Sequence, residues 1–415
     1  MRKKLGLVAF LLLCGISYSE EVFSLEDILE RAKTSNPQLN AQKMVTEMKR
    51  EEKERAWKHL VLPPVNLSNE DDWDIVKKYG VGLEEFNVYI PIFMGGKNLN
   101  TYRKAKTQYE ISKKDTSLVE TGAQETAVSI YFAALNAKKQ KDITDNAIKA
   151  LERQRERVNA LYKNGKQVPK SELLKIEADI ENNKGINLEN EYYEKAYAGE
   201  LSKILGYPID MDLDIQDFDP EKYIKSKAYV ENDIQKPIEN TILGERENLK
   251  LESAAYDVKI AKADLYPAIY TRYTYNYREK DEDTGDLRKV NDHEWQVGFR
   301  WILSWGADYD NVKAKKYAYE KAQIEYKDSM QGIALEMRNK LEEIKSVYGR
   351  ASAMKKRVDL LSENMKIDSM RYENDLLTTF DYLNSVNSFR KAQEEYYSIQ
   401  RKLVLSVIEY ENLYR

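Results

Sequence analysis

The sequence predicts a mainly helical chain made of two similar halves, each carrying one β-hairpin and one very long helical hairpin. Three observations predict it. Two alternating apolar strands, with Phe86, Val88, Ile90 and Ile92 on one and Trp295, Val297, Phe299 and Trp301 on the other, each run into glycine. Behind them, Gly96 to Asn164 and Gly306 to Asn374 hold no proline, so each makes a helix about 100 Å long at 1.5 Å per residue. The landmarks also recur in order: Pro64 with Pro267, Gly95 with Gly306, Tyr162 with Tyr372 and Leu173 with Leu383, at offsets close to 210 residues. A repeat that long is a duplicated half rather than a solenoid period.

The chain opens with Arg2, Lys3 and Lys4, an apolar run from Leu5 to Ile16, and Ser17-Tyr18-Ser19. This is the pattern of a secretory signal peptide cleaved after Ser19. Cys14 offers a rival reading as a lipid-acceptor site, but Leu13 before it is bulkier than such a site prefers. Removing residues 1–19 leaves 63 of the 66 basic residues against 70 acidic ones, a charge of −7. That balance argues against a nucleic-acid partner. The only cysteine leaves with the signal, which excludes a disulfide-stapled scaffold. No later apolar run is long enough to cross a bilayer as a helix.

Ser24, with Asp27 three residues on, starts a helix whose apolar stripe is Leu25, Ile28, Leu29 and Ala32. Asn36-Pro37 interrupts it, and it resumes to about Leu60 before Pro63-Pro64. A hairpin follows, with strands near Val65–Glu70 and Glu84–Pro91 and a polar loop over Asp71–Tyr79. The long helix after Gly96 carries Ile130, Leu135, Ile143, Ala147, Leu151, Val158 and Leu161 at the spacings of one apolar face. Asn164-Gly165 tolerates the left-handed conformation that closes a helix, and Pro169 sits early in the returning helix, which ends near Leu205. Ile209, Met211, Leu213 and Ile215 then alternate as a short strand. In the second half a helix runs from about Pro237 to Leu265. Its hairpin has Ile269, Thr271, Tyr273, Tyr275 and Tyr277 pointing one way, a charged loop over Glu279–Asp292, and the return strand through Trp295–Trp301. The second long helix turns at Asn374-Asp375 and comes back through Leu383, Val386, Phe389 and Ala392 almost to Arg415.

An apolar, aromatic face opposite a polar one, beside a long polar loop, is the pattern of membrane β-barrel strands. It predicts that Tyr273, Tyr275, Val297 and Phe299 face outer-membrane lipid. Four strands cannot close a barrel where every backbone polar group needs a partner. The chain must therefore form a cyclic oligomer, and three copies give twelve strands and a lumen wide enough for solutes.

At this point the chain resembles the outer membrane efflux protein (TolC) family. The likeness rests on LEDILERAKTSNPQL (Leu25–Leu39), PIFMGG (Pro91–Gly96), LSKILGYP (Leu201–Pro208) and RYENDLLTTFDYL (Arg371–Leu383), and their order spans nearly all of residues 23–415. The resemblance implies a homotrimer with a twelve-stranded outer-membrane barrel, a periplasmic helical tube, and a mixed belt built from Leu25–Asn36, Ile209–Ile215 and the C-terminal residues. It implies the exit duct of a tripartite efflux pump or a type I secretion system, working with a periplasmic adaptor and an inner-membrane transporter. The organisation is then a signal peptide over 1–19, a first repeat over 20–216 with its β-hairpin at 63–92 and helical hairpin at 96–205, and a linker over 217–236. The second repeat covers 237–415, with its β-hairpin at 267–303 and helical hairpin at 306–412.

The resemblance also assigns roles at the two helical turns. Asn164, Gly165, Asn374, Asp375 and Leu376 form the tips that dock the adaptor. Tyr372, Asp381 and Asn384 fall where the family places its pore constriction, with Asn384 in place of a second acid. Ser171 and Leu377 stand where many members carry an acid and a base that pair across the closed tip, so that ion pair is missing. His59 and His293 are isolated, and no nucleophile, metal cluster or phosphate loop is present; neither enzyme activity nor a cofactor is expected. An adhesive coiled-coil surface protein would account for the helices but not for the aromatic hairpins or the duplication. A periplasmic adaptor would need a β-rich lipoyl-like segment, and none is visible.

Overall fold

A computed structural model describes residues 22–68, 85–164, 169–208, 214–218, 238–280, 287–374 and 376–414 of the chain. The elements are β1 (Val22–Phe23), α1 (Leu25–Ser35), α2 (Pro37–Val61), β2 (Val65–Ser68), β3 (Glu85–Phe93), α3 (Lys97–Lys163), α4 (Lys170–Ile204), β4 (Asp214–Ile215), α5 (Ile242–Ala263), β5 (Ala268–Lys280), β6 (Leu287–Arg300), α6 (Ala307–Glu373) and α7 (Thr379–Leu413). The predicted signal peptide with Cys14, the loop over Asp71–Tyr79, most of the linker, Gly165 and Asp375 lie outside the described residues. None of the described helices is long and apolar enough to cross a membrane. Two compact units take up the chain, the first from Met1–Asn36, Gln124–Lys227 and Tyr348–Leu405, the second from Pro37–Ala123, Ala228–Val347 and Ser406–Arg415.

The second unit holds the sheet. Its order is β2-β3-β5-β6, antiparallel throughout. The two predicted hairpins are thus one sheet, joined where β3 meets β5 with Asn87 opposite Thr274. Directly opposed residues share a face. Val65 pairs with Val88 and Val88 with Tyr273; Tyr273 pairs with Trp295, and Thr271 with Val297. One face therefore carries apolar or aromatic side chains from all four strands. The other carries Asn66, Asn87, Arg272, Thr274 and Gln296, with the Thr274 hydroxyl donating to Asn87 Oδ1 at 2.7 Å. On this polar face Tyr270 lies over Gly298, where a Cβ would stand 2.9 Å from the ring. The second loop is shorter than predicted, since Arg278 pairs with Lys289 and Glu279 with Arg288 across β5 and β6. The ladder is a backbone structure, so charged side chains do not stop it.

All four helix junctions fall at one end of this sheet, as the register requires: Tyr89 N–H donates to Pro64 O, Phe93 pairs with Ile269, and Ala268 with Arg300. The strand-to-helix turns of the two halves are the same turn. Lys97 N–H donates to Met94 O and Asn100 N–H to Gly96 O; Ala307 N–H donates to Ser304 O and Asp310 N–H to Gly306 O, all at 3.0 Å. Gly96 is therefore the structural equivalent of Gly306, one residue on from the alignment read in the sequence. Gly95 (φ 60°) and Gly96 (φ 79°) both take the left-handed region, and at Gly95 a Cβ would also sit 2.8 Å from Ala263 O. In the second half Trp305 (φ 49°) occupies the place of Gly95, at a cost of about 1–2 kcal/mol for an L-residue in that conformation.

Beneath the sheet, α2 meets α3 through the Thr46 hydroxyl, which lies 2.8 Å from both Ser112 Oγ and Thr116 Oγ1. Helices α3 and α5 are laced by Lys97–Asp264 (2.7 Å), Lys104–Asp257 (2.6 Å), Asp115–Arg246 (2.8 Å) and Lys114–Glu245. These pairs are partly exposed, so each contributes at most about 1 kcal/mol; their regular spacing sets the register of the two helices.

In the first unit, Ser24 and Asp27 form the expected capping box: the Ser24 hydroxyl accepts from Asp27 N–H at 3.2 Å, and Ser24 N–H donates to the Asp27 carboxylate at 3.0 Å. The Ser24 hydrogen bonds hold the Asp27 carboxyl below its ordinary pKa. Leu25, Ile28 and Ala32 are buried as the stripe predicts. β1 pairs in parallel with β4, Phe23 opposite Ile215; of the predicted strand Ile209–Ile215, only Asp214 and Ile215 are described. Tyr131 donates to Gln216 O at 2.9 Å, and burial pushes its phenol well above the usual tyrosine range.

Candidate functional site: the helical tips

The two helical turns lie in the first unit. Their base is an apolar cluster of Leu151, Val158, Ile176, Ile180 and Leu383, with Leu173 against it. Leu151 and Val158 stand seven residues apart on α3, Leu173, Ile176 and Ile180 follow at three and four on α4, and Leu383 comes from α7, the spacings of a coiled-coil seam.

At the second turn, α6 ends at Glu373. Asn374 closes it: its N–H donates to Met370 O at 3.2 Å, and its amide Nδ2 donates to the same oxygen at 2.8 Å. Leu376 N–H then returns to Arg371 O at 2.9 Å. Thr378 starts α7. Its hydroxyl accepts from Asp381 N–H at 3.2 Å and donates to Asp381 Oδ2 at 2.6 Å. Asp381 is thus the third residue of α7, where a carboxylate meets the positive end of the helix dipole. It is exposed, and so is Asn384 one turn later. Leu376, at the tip itself, is 76% exposed.

Tyr372 is instead buried within the protomer. Its ring stacks on Tyr382 at 5.0 Å between centroids, and the Arg157 guanidinium lies 5.3 Å from the same ring. Burial raises the Tyr382 phenol above its ordinary pKa. Arg157 also donates to Glu373 O at 2.7 Å, placing a cation on the negative end of α6. The Tyr372 hydroxyl lies 3.2 Å from Thr379 Oγ1, which donates to Glu172 Oε2 at 2.9 Å. Since the single hydroxyl proton of Thr379 goes to the carboxylate, Tyr372 is the donor to Thr379.

The residues that tie the first turn to the second are therefore Arg157, Glu172, Tyr372 and Thr379. Of these, sequence reasoning singled out Tyr372 alone. Ser171, the position beside Glu172, is exposed, and Leu377, two residues before Thr379, is half-buried. The acid is one residue further along, at Glu172, and its partner is a hydroxyl rather than a cation. The available signal was the Thr378-Thr379 pair ahead of Asp381. At the first turn, Asn164 N–H donates to Ala160 O at 3.1 Å and closes α3. The four residues assigned to lipid, Tyr273, Tyr275, Val297 and Phe299, share the apolar face of the sheet; Val297 is 77% and Phe299 74% exposed.

Comparison with known proteins follows the same lines. The family model described as outer membrane efflux protein matches residues 246–412. The chain is similar to the Campylobacter jejuni CmeC outer membrane channel, with a TM-score of 0.76 and 18% identity over 96% of this chain and 90% of that one. It is similar to the outer membrane protein VceC of Vibrio cholerae, at 0.74 and 14% over 94% and 96%. It is also similar to the Neisseria gonorrhoeae MtrE outer membrane channel in its open state, at 0.71 and 15% over 94% and 88%. Sequence comparison with curated proteins returns no significant match. That family's model thus matches the second half of the chain, and the fold of outer membrane channels runs along nearly its whole length.

Proposed function

We propose that the protein is the exit duct of a tripartite efflux pump or type I secretion system, a passive channel across the periplasm and outer membrane. The observation that supports this best is the four-stranded sheet with one apolar and one polar face. Among the described residues its outer strands, β2 and β6, have no further strand beside them. In a bilayer such edges must be paired. A cyclic trimer pairs β6 of one copy with β2 of the next, closes twelve strands and turns the polar face to the lumen. Energy comes from an inner-membrane transporter, and a periplasmic adaptor seats on the tips around Asn164, Gly165, Asn374, Asp375 and Leu376. Exposed Leu376 gives such a partner an apolar contact at the turn.

Fractionation of membranes with heat-modifiability on gels tests the duct reading: the protein runs as an outer-membrane trimer that heating dissociates. Recovery as a soluble periplasmic monomer refutes it. Replacing Asn374-Asp375-Leu376 by Gly-Ser residues tests docking: export is lost while the trimer stays in the outer membrane, and normal export refutes the role of the tips.

A further inference from the structure

The seam between α2 and α3 does not close at its sheet end. Away from the sheet the two helices meet through the Thr46 hydroxyl, 2.8 Å from both Ser112 Oγ and Thr116 Oγ1. Nearer the sheet the lining holds Ala56 on α2 and Ala105 on α3, side chains too short to bridge the gap. A cavity of about 600 Å³ opens there between the two helices and β3. All of its lining lies in the second unit, and its volume is that of a small-molecule site, roughly 300–1,000 Å³.

Two kinds of wall line it. One is apolar: Pro64, Pro91, Met94 and the ring of Tyr89, which Tyr270 holds at 4.8 Å between centroids. The other is basic. Glu52 is paired with Lys49 at 2.7 Å and Lys104 with Asp257 at 2.6 Å, so those charges are matched. Arg55 and His59, about one turn apart on α2, also line the cavity, and among the described residues no carboxylate pairs with either. The Tyr89 hydroxyl is buried with no hydrogen-bond partner, a donor that lacks an acceptor. A guanidinium, an imidazole and a phenol beside an apolar slot suit a ligand that is apolar at one end and accepts hydrogen bonds at the other. A carboxylate or sulfonate also matches the planar fork of Arg55, whereas a cation would be repelled by it.

We propose that this cavity binds an aromatic organic anion of drug size. Arg55 takes the carboxylate or sulfonate, Tyr89 donates to it, and the ring lies against Pro64, Pro91 and Met94. Tyr89 and Pro91 stand opposite Arg272 and Tyr270 on the polar face of the sheet. On the duct reading that face lines the lumen, so the site holds an anionic cargo molecule at the duct wall. That placement rests on the duct reading; the binding itself does not, and the test separates the two.

The purified protein is titrated calorimetrically with naphthalene-2-sulfonate against a blank of matched detergent. One site per chain is expected. The neutral naphthalene-2-carboxamide should bind at least about tenfold more weakly, and Arg55→Gln should weaken the sulfonate by about as much, because a hydrogen bond to a charged group is lost. Ala105→Phe fills the cavity without changing its charge and should abolish binding. Lys58→Gln removes an exposed charge of α2 that does not line the cavity, and affinity should not change. Equal weakening by Arg55→Gln and Lys58→Gln reduces the attraction to general charge and overturns the site. Full binding by Ala105→Phe overturns it too, as does the absence of saturable binding to the native chain. The duct reading stands or falls separately, on the heat-modifiable trimer: if the chain purifies as a monomer, that reading falls and the same titration still decides the site. Should Ala105→Phe fail to assemble, the comparison of Arg55→Gln with Lys58→Gln decides alone.

Discussion

Thr379→Val removes the hydroxyl that joins the two turns while keeping the shape of a buried side chain. Two hydrogen bonds disappear, one from Tyr372 at 3.2 Å and one to Glu172 at 2.9 Å. A neutral bond contributes about 1 kcal/mol, and the bond to the half-exposed Glu172 carboxylate about as much, so the loss is about 2 kcal/mol. At 1.36 kcal/mol per decade, local opening of the turn becomes about thirtyfold more frequent. The readout is amide hydrogen exchange at Tyr382, whose N–H donates to Thr378 O in the first turn of α7. Amides near Ser24, held by their own capping box, serve as the internal control. The variant also takes the Thr379 acceptor away from the buried Tyr372 hydroxyl. Tyr382 exchange within about threefold of native in the single variant would mean that the bridge contributes less than about 0.7 kcal/mol and does not hold the turn.

Three further outcomes follow from the same geometry. Val297→Arg should cost roughly 2–4 kcal/mol if it lies near the bilayer midplane, while Gln296→Arg on the opposite face costs little; denaturant titration of the reconstituted trimer measures both, and equal costs contradict the assignment of faces. Asp381→Asn should abolish most cation preference and multivalent-cation block in single-channel recordings, because the proposed trimer would place three of these carboxylates around one axis. The amide still accepts from Thr378, so only about 0.3–1 kcal/mol of charge–dipole stabilisation goes with the charge; unchanged selectivity would remove Asp381 from the constriction. Gly95→Ala adds a Cβ that meets the Ala263 carbonyl, whereas at Gly306 a Cβ meets open space. Both substitutions bear the left-handed strain, so Gly95→Ala should destabilise by at least about 1 kcal/mol more than Gly306→Ala, as read from thermal unfolding, and equal losses would show the junction is loosely packed.

Local chemistry was written plainly enough in the chain to be read without coordinates. The capping box at Ser24, the breaks at Pro37 and Pro64, the long proline-free helices and the period-two strands all depend on residues a few positions apart. Helix and strand periods express the same local rules, which is why the alternation of β5 and β6 predicted the apolar face that their pairing carries. The tertiary structure decided what depends on distance along the chain. It joined two hairpins into one sheet by setting Asn87 against Thr274, a register that a one-residue slip would have inverted. It chose Glu172 over Ser171 as the carboxylate that meets Thr379, because a helix turns its side chains by about 100° per residue and only packing selects which one faces inward. It also set a tryptophan on the backbone that glycine takes in the other half, an exception no propensity predicts, since propensity would place glycine there.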